Sequence, residues 1–333
     1  MNTAKVQPED YVQFLLGSPW QFTCTEAARV QPDQPDPPAH DAFNRLLTRL
    51  EPDPEALWLE ARPQIRRDDG LLVLDDSTLD KPYARKMGLV SWHWSGNHHA
   101  VVKGINLLTL LWTDGDRHIP TDYRIYDKAH DGFSKNDLFA QLLRAAHQRG
   151  LRPRCVCFDS WYSSLANLKE IRSLGWTWLC RLKSNRQVRL DFGDAQAISA
   201  VDIAAAGRVV HLPGYGSIRV FRVVATNGDT DHWATSDLGM GALTRLQYGE
   251  FSWRIEEYHR GIKQFCGVER CQARRGKAQR NHIGLSLRAF LRMEYHCFAL
   301  GLSWFQAKLD VIGQVQPLGS HLGASTRKSV PRT

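Results

Sequence analysis

Between residues 71 and 182 the chain alternates short apolar runs with amphipathic stretches in an order that few folds can accommodate. Residues 71–74 read as a short buried strand after the Asp69-Gly70 turn. Longer strand patterns cover 100–112 and 118–126, joined by a hairpin at Thr113-Asp-Gly-Asp116. Residues 134–148 read as a helix, with Ser134 as its cap and Leu138, Leu142 and Ala145 facing inward. A strand over 154–158, a short helix over 165–174 and a strand over 177–182 follow. Strands that first pair as hairpins and then recur across helices require a mixed α/β sheet with helices on its faces.

The flanking regions are organised differently. Residues 1–66 read as a mostly acidic helical region, broken by the prolines of 31–38 and carrying apolar residues at helical spacing in 39–50 and 55–65. Residues 67–185 form the first part of the core. Within 186–240 short β segments at 207–211, 217–225 and 232–235, with an Asn227-Gly228 turn, read as a β-rich insertion. The core resumes over 241–310, with one long apolar-periodic helix expected over 281–309, and 311–333 reads as a flexible polar tail.

A chain of 333 residues with 43% hydrophobic content can bury a real core. Its N-terminus lacks a signal-peptide pattern, no apolar run is long enough to span a bilayer, and seven cysteines suit a reducing cytoplasm. Cys266, Cys271 and His282 are the nearest approach to a zinc set, but a second close pair of ligands is missing. The formal net charge of +8 is unevenly placed: residues 254–333 hold 14 Lys/Arg against 5 Asp/Glu. Arg270, Arg274, Arg275, Lys277 and Arg280 fall within eleven residues without an acid, a density that attracts a polyanion when it is not simply a solvated face.

Three acidic positions stand out. Asp75-Asp76 ends the first strand pattern, Asp159 ends the fourth, and Glu256-Glu257 lies in a helix after the insertion. Acids at neighbouring strand tips and on a packing helix can converge, as magnesium-dependent phosphoryl transfer requires. Mg²⁺ binds few carboxylates and takes its other ligands from water and phosphate oxygens, and two such ions could serve the attacking and leaving oxygens. Glu256, Arg260 and Lys263 share one helical face by spacing, where two cations could grip a phosphodiester; the alternative is an ordinary surface salt bridge. Trp161-Tyr162, just after Asp159, suit either base stacking or the core.

The sequences LLVLDDSTLDKPYARK, VCFDSWYSS and WRIEEYHRGIKQFCGVERCQAR together resemble insertion-sequence transposases with an Asp-Asp-Glu triad on a ribonuclease-H-like core, in the branch marked by a Tyr-Arg-Glu-Lys signature. The resemblance runs from about residue 70 to 300. It places the signature's Glu and Lys on Glu256 and Lys263. The signature's Arg and Tyr fall on Ser252 and Gly249, leaving Tyr248 and Arg254 as displaced substitutes or those contacts absent.

The resemblance implies a ribonuclease-H-like sheet and catalytic, metal-holding roles for Asp75, Asp159 and Glu256, with Asp76 as the alternative first aspartate. It implies two Mg²⁺ ions, with Mn²⁺ as a substitute, and double-stranded DNA as partner, both element ends and target. Arg260, Lys263, Arg270, Arg274, Arg275, Lys277 and Arg280 would contact that DNA. It further implies a homodimer on DNA, no membrane, and a bacterial cytoplasmic, nucleoid-associated setting. The expected activity is cleavage at the element's ends and strand transfer. The alternatives are a nuclease of the same fold without strand transfer and a catalytically silent DNA-binding descendant.

Overall fold

The structure, a computed structural model, describes residues 4–315 other than 20, 33–34, 96–98, 128 and 191–192. His98, which with His99 reads from sequence as a polar loop or a ligand pair, Lys128, a lysine near the strand hairpin placed to touch DNA or simply exposed, and residues 316–333 of the expected tail lie outside the described residues.

Four helices open the chain: α1 (Pro8–Gly17), α2 (Cys24–Arg29), α3 (His40–Arg49) and α4 (Pro54–Ala61). The core follows with β1 (Leu71–Asp80), β2 (Ser91–Ser95), β3 (Ala100–Thr113), β4 (His118–Tyr126), α5 (Lys135–Gln148), β5 (Cys155–Phe158), α6 (Leu165–Ser173) and β6 (Trp178–Leu182). Next come β7 (Gln187–Arg189), β8 (Ala195–Ala197), β9 (Arg208–Leu212), β10 (Gly216–Val224) and β11 (Thr230–Thr235). Three helices close the described chain: α7 (Ala242–Phe265), α8 (Gly276–Leu300) and α9 (Trp304–Val315).

Among the described residues, all eleven strands join one sheet. β1 runs antiparallel to β3 along its whole length and parallel to β5, which is parallel to β6. β4 and β2 share the far edge of β3, β4 along Asn106–Thr113 and β2 along its first residues. This is the ribonuclease-H-like mixed order expected. Leu71–Leu74 have strands on both sides and are fully buried, which is why they read as an unbroken apolar run. The strands between residues 187 and 235 continue the same sheet, since β11 pairs antiparallel with β6.

Two sequence expectations need correction. The first strand does not end at Leu74: it continues through both aspartates to Asp80, because β3 offers ten paired residues while β5 offers only four. Polar residues there are tolerated because β5 has ended and left that edge open. The long helix expected over 281–309 is two helices. Gly301 adopts a left-handed conformation (φ 66°) and ends α8, a backbone state that glycine enters without cost.

Helix α5 forms as its sequence suggests. Ser134 and Asp137 make a reciprocal capping box, and Leu138, Phe139, Leu142, Leu143 and Ala146 form the buried stripe. α7 lies across β1, β5 and β6, and α8 carries α1, α3 and α4 on its other contacts. Asn281 of α8 donates to the carbonyls of Leu47 and Leu50, which close α3.

Candidate active site

Sheet register and one helix bring the acidic stretches together. Leu74 is the last β1 residue paired with β5, opposite Phe158. Asp75 and Asp159 are therefore the next residues on neighbouring parallel strands. Asp159 also starts a single 3-10 turn, accepting a hydrogen bond from the backbone N–H of Ser160. α7 crosses both strands and places Glu256 beside them. Asp75, Asp76, Asp159 and Glu256 line one cleft of roughly 500 Å³ with Lys135, Lys183, His259 and Lys263.

The adjacent aspartates have opposite surroundings. Asp76 accepts from Asn106 Nδ2 at 2.6 Å, from Lys135 Nζ at 2.8 Å and from the Tyr162 hydroxyl. Burial works against its charge, yet the Lys135 ammonium and these donors outweigh it and hold the carboxyl below the usual range. Asp75 receives no donor from any described side chain. Burial, followed by the charges of Asp76, Glu256 and Asp159, pushes its carboxyl well above the usual range. Burial and then Asp159 also raise Glu256, with Lys263, Arg260 and Arg181 offsetting part of the effect. Glu257 points elsewhere and pairs with Arg254 at 2.8 Å.

The expected cations divide. Lys263 lines the cleft, donating to the Thr78 carbonyl at 2.8 Å and pairing with Glu269 at 3.1 Å. Arg260, whose charge still acts on Glu256, lines a neighbouring cavity of roughly 770 Å³ with Arg254 and Glu257. Lys277 pairs with Glu51, and Arg280 pairs with Asp131 at 3.0 Å. Arg270, Arg274 and Arg275 are exposed and have no ion-pair partner among the described residues. Their backbone is fixed: buried Lys81 donates to the carbonyls of Glu269 and Cys271, and Gly88 N–H donates to Arg274. Tyr248 and Arg254 do not line the cleft, whereas Gly249 and Ser252 line a recess next to it.

Several cleft residues lay beyond sequence reasoning. Lys135 on the wall and Asn106 behind it are named only by their contact with Asp76. Tyr162 is buried and stacked on Phe139 at 5.1 Å, which settles it as a core residue. Trp161 remains exposed on the cleft rim with Trp92 and Trp94, over the Lys135 ammonium at 5.4 Å. His259, three residues after Glu256, was accessible from helix spacing. It is buried, and burial and then Lys263 lower its imidazole to about 3, so it is neutral at physiological pH.

The cleft suits a hard divalent cation. Five carboxylates line it, those of Asp75, Asp76, Asp80, Asp159 and Glu256, and no described side chain donates to Asp75, Asp159 or Glu256. His259 Nε2, on its wall, is buried without a hydrogen-bond partner among the described residues, as is Asn106 Oδ1 on the amide that holds Asp76. No three His, Cys, Asp or Glu side chains among the described residues close into a cage.

Comparisons with known proteins bear on the family and the fold. A family model described as "Transposase DDE domain" matches residues 66–291. No curated protein sequence matches the chain. Among solved structures, the piggyBac transposase synaptic complex with hairpin DNA is similar in fold. The similarity has a TM-score of 0.53 at 11% identity, over 95% of this chain and 71% of that one. A family match spanning from the turn before β1 to the middle of α8 takes in every element that builds the cleft, and the chain belongs to the transposase DDE-domain family.

Proposed function

We propose that this chain is an insertion-sequence transposase that cuts DNA at the ends of its element and joins them to a target by in-line phosphoryl transfer. The observation that carries this reading is the convergence of Asp75, Asp159 and Glu256, from two strands and a helix, on one cleft rimmed by lysines. Asp75 is favoured over Asp76 because Asp76 is already neutralised by Lys135, while Asp75 faces Glu256 and Asp159 unpaired.

Asp75, Asp159 and Glu256 would hold Mg²⁺, two ions in all with Mn²⁺ as a substitute. When bound, the metal supplies electrophilic activation of phosphoryl oxygens and of the attacking oxygen. The chain's own residues position the DNA. Lys263, tied to β1 through Thr78, presents a fixed charge beside Glu256, and Lys183 and Lys135 stand on the same walls. Arg270, Arg274 and Arg275, displayed on a braced loop, extend the cationic track along the duplex; Lys277, Arg280 and Arg260 lie along it with their charges partly engaged. Trp92, Trp94 and Trp161 offer ring faces to bases at the rim. Pairing two DNA ends implies a homodimer on DNA, in a bacterial nucleoid. Among the described residues no helix is long and apolar enough to cross a membrane.

The deciding experiment uses duplexes carrying the repeats that flank the coding sequence, with Mg²⁺ or with EDTA. Wild type is compared with Asp159→Ala and Glu256→Ala at matched binding. Nicking and joining in wild type only, with binding kept in the variants, supports the proposal. Cleavage without joining favours a nuclease, and binding without cleavage in any protein favours a silent DNA-binding descendant.

A further inference from the structure

Glu256 stands near the middle of a groove, not at its end. Toward the C-terminal end of α7 the large cleft passes His259 and Lys263. Toward the N-terminal end a second recess of roughly 260 Å³ opens past the same Asp75, Asp159 and Glu256. Its other walls are Arg181 of β6, Trp233 of β11, and Gly249, Ser252 and Trp253 of α7. From Gly249 to Lys263 the helix rises about 21 Å at 1.5 Å per residue, enough for roughly six nucleotides of one strand at 3.4 Å each. The carboxylates thus divide a run of groove long enough to hold DNA on both sides of a scissile phosphate.

The recess exists because two α7 residues are small. A Cβ on Gly249 would come no closer to Trp233 than 3.5 Å, an ordinary contact, so the space is limited by side-chain size and not by backbone. Into it projects the only cation among its lining residues, Arg181. Its guanidinium lies over the Trp233 ring at 5.7 Å and is 3.4 Å from Asp231 at the exposed edge. Nη1 donates to Asp231, and a guanidinium lying over an indole leaves its remaining in-plane N–H donors for a phosphate. Trp253, 57% exposed, borders the same space.

We infer that this recess is a nucleotide-binding site on the opposite side of the carboxylates from Lys263, in which Arg181 grips a backbone phosphate and Trp253 stacks on the adjoining base. This rests on the transposase reading above, because the ligand is the strand that the acids would cut. It adds a binding site on β6 and the front half of α7, outside the basic C-terminal segment.

The test is equilibrium binding of flanking-repeat duplex in EDTA across a KCl series, with 2-aminopurine placed at successive positions around the nick site. Arg181→Ala is expected to flatten the slope of log K against log [salt] by about 0.9, the value for one lost phosphate contact. Arg181→Lys, which keeps the charge, is expected to restore it. Trp253→Ala is expected to relieve 2-aminopurine quenching at one position beside the nick. An unchanged slope in Arg181→Ala, or unchanged quenching in Trp253→Ala, overturns the assignment. If wild type nicks the DNA while these variants behave like it, the recess falls and the proposed function stands. If wild type neither binds nor nicks, both fall.

Discussion

Two regions of this molecule bury polar side chains, and they treat them in opposite ways. In the seam where α8 and α9 meet the N-terminal helices, the buried charged or titratable side chains of Lys308, His282 and Glu294 each meet two partners. Lys308 donates to the carbonyls of Leu15 and Phe265, the latter closing α7 and the former lying in the last turn of α1. His282 lies between the Tyr11 hydroxyl at 2.9 Å and the Gly267 carbonyl at 3.0 Å. Glu294 accepts from His118 and from Trp304 Nε1. In the cleft and behind its wall, by contrast, Asp75 crowds three other carboxylates, and His259 Nε2 and Asn106 Oδ1 have no described partner. Unsatisfied buried polar groups cost stability. The seam therefore holds the domain together, and the cleft keeps unmet electrostatic demand for a ligand to satisfy.

The contrast is broken most directly by removing a cleft carboxylate. Asp159→Ala and Glu256→Gln should each lower the rate of end nicking by about 10²–10³-fold, roughly 3–4 kcal/mol of transition-state stabilisation. Thermal unfolding should stay near wild type, because neither side chain anchors the fold. Lys135 should behave in the opposite manner. Replacing it with Met strips Asp76 of its cation and should cost about 2–3 kcal/mol in urea unfolding, less than a fully buried pair because both side chains keep some solvent contact. Adding Asp76→Asn to Lys135→Met should recover part of that loss. No recovery would mean that Lys135 matters through its packing on Trp161 and Tyr126 instead.

What the sequence made legible follows the range of the forces involved. Helix α5 was readable from its cap and stripe, and the central strands from apolar runs, because those signals are local. That Asp75 would meet Asp159 needed only the guess that two strands are parallel neighbours, since register does the rest. Local signals failed where pairing partners decide the outcome. β1 runs on to Asp80 because β3 is long, and Arg280 and Lys277 are drawn from the basic cluster into pairs with Asp131 and Glu51, more than a hundred residues away. The choice between Asp75 and Asp76 also depended on distant residues: Lys135, Asn106 and Tyr162 are spread over fifty-odd positions, and no spacing rule links them.

The seam carries its own pH signature. Burial lowers the His282 imidazole from an ordinary 6.5 to about 4. A base with a depressed folded value is neutral in both states above pH 6.5, so its contribution is complete there. As pH falls from 6.5 toward 4 the unfolded chain takes up the proton first, and stability is lost by up to about 3 kcal/mol. Urea midpoints at pH 7 and pH 4.5 should therefore converge in His282→Gln, which cannot titrate, relative to wild type. Equal pH sensitivity in both would place the titrating group elsewhere and weaken the view of His282 as a satisfied anchor of the seam.

The smallest effect is the one that separates the regions most cleanly. If the cleft is under electrostatic stress, neutralising Asp75 should stabilise the metal-free protein even as it removes a proposed ligand. Asp75→Asn keeps the shape and deletes a charge that burial and three neighbouring carboxylates disfavour. A gain of about 1 kcal/mol, or roughly 2–4 °C in Tm, is expected in EDTA. The same substitution at Asp76, one residue along the strand, should lower Tm, because its three donors lose a charged acceptor. Adding Mg²⁺ should stabilise wild type and leave Asp75→Asn nearly unmoved, since bound ligand stabilises only the protein that holds it. A fall in Tm for Asp75→Asn in EDTA would show that Asp75 supports the fold, and the distinction between a satisfied seam and a stressed cleft would not hold at the residue where it is sharpest.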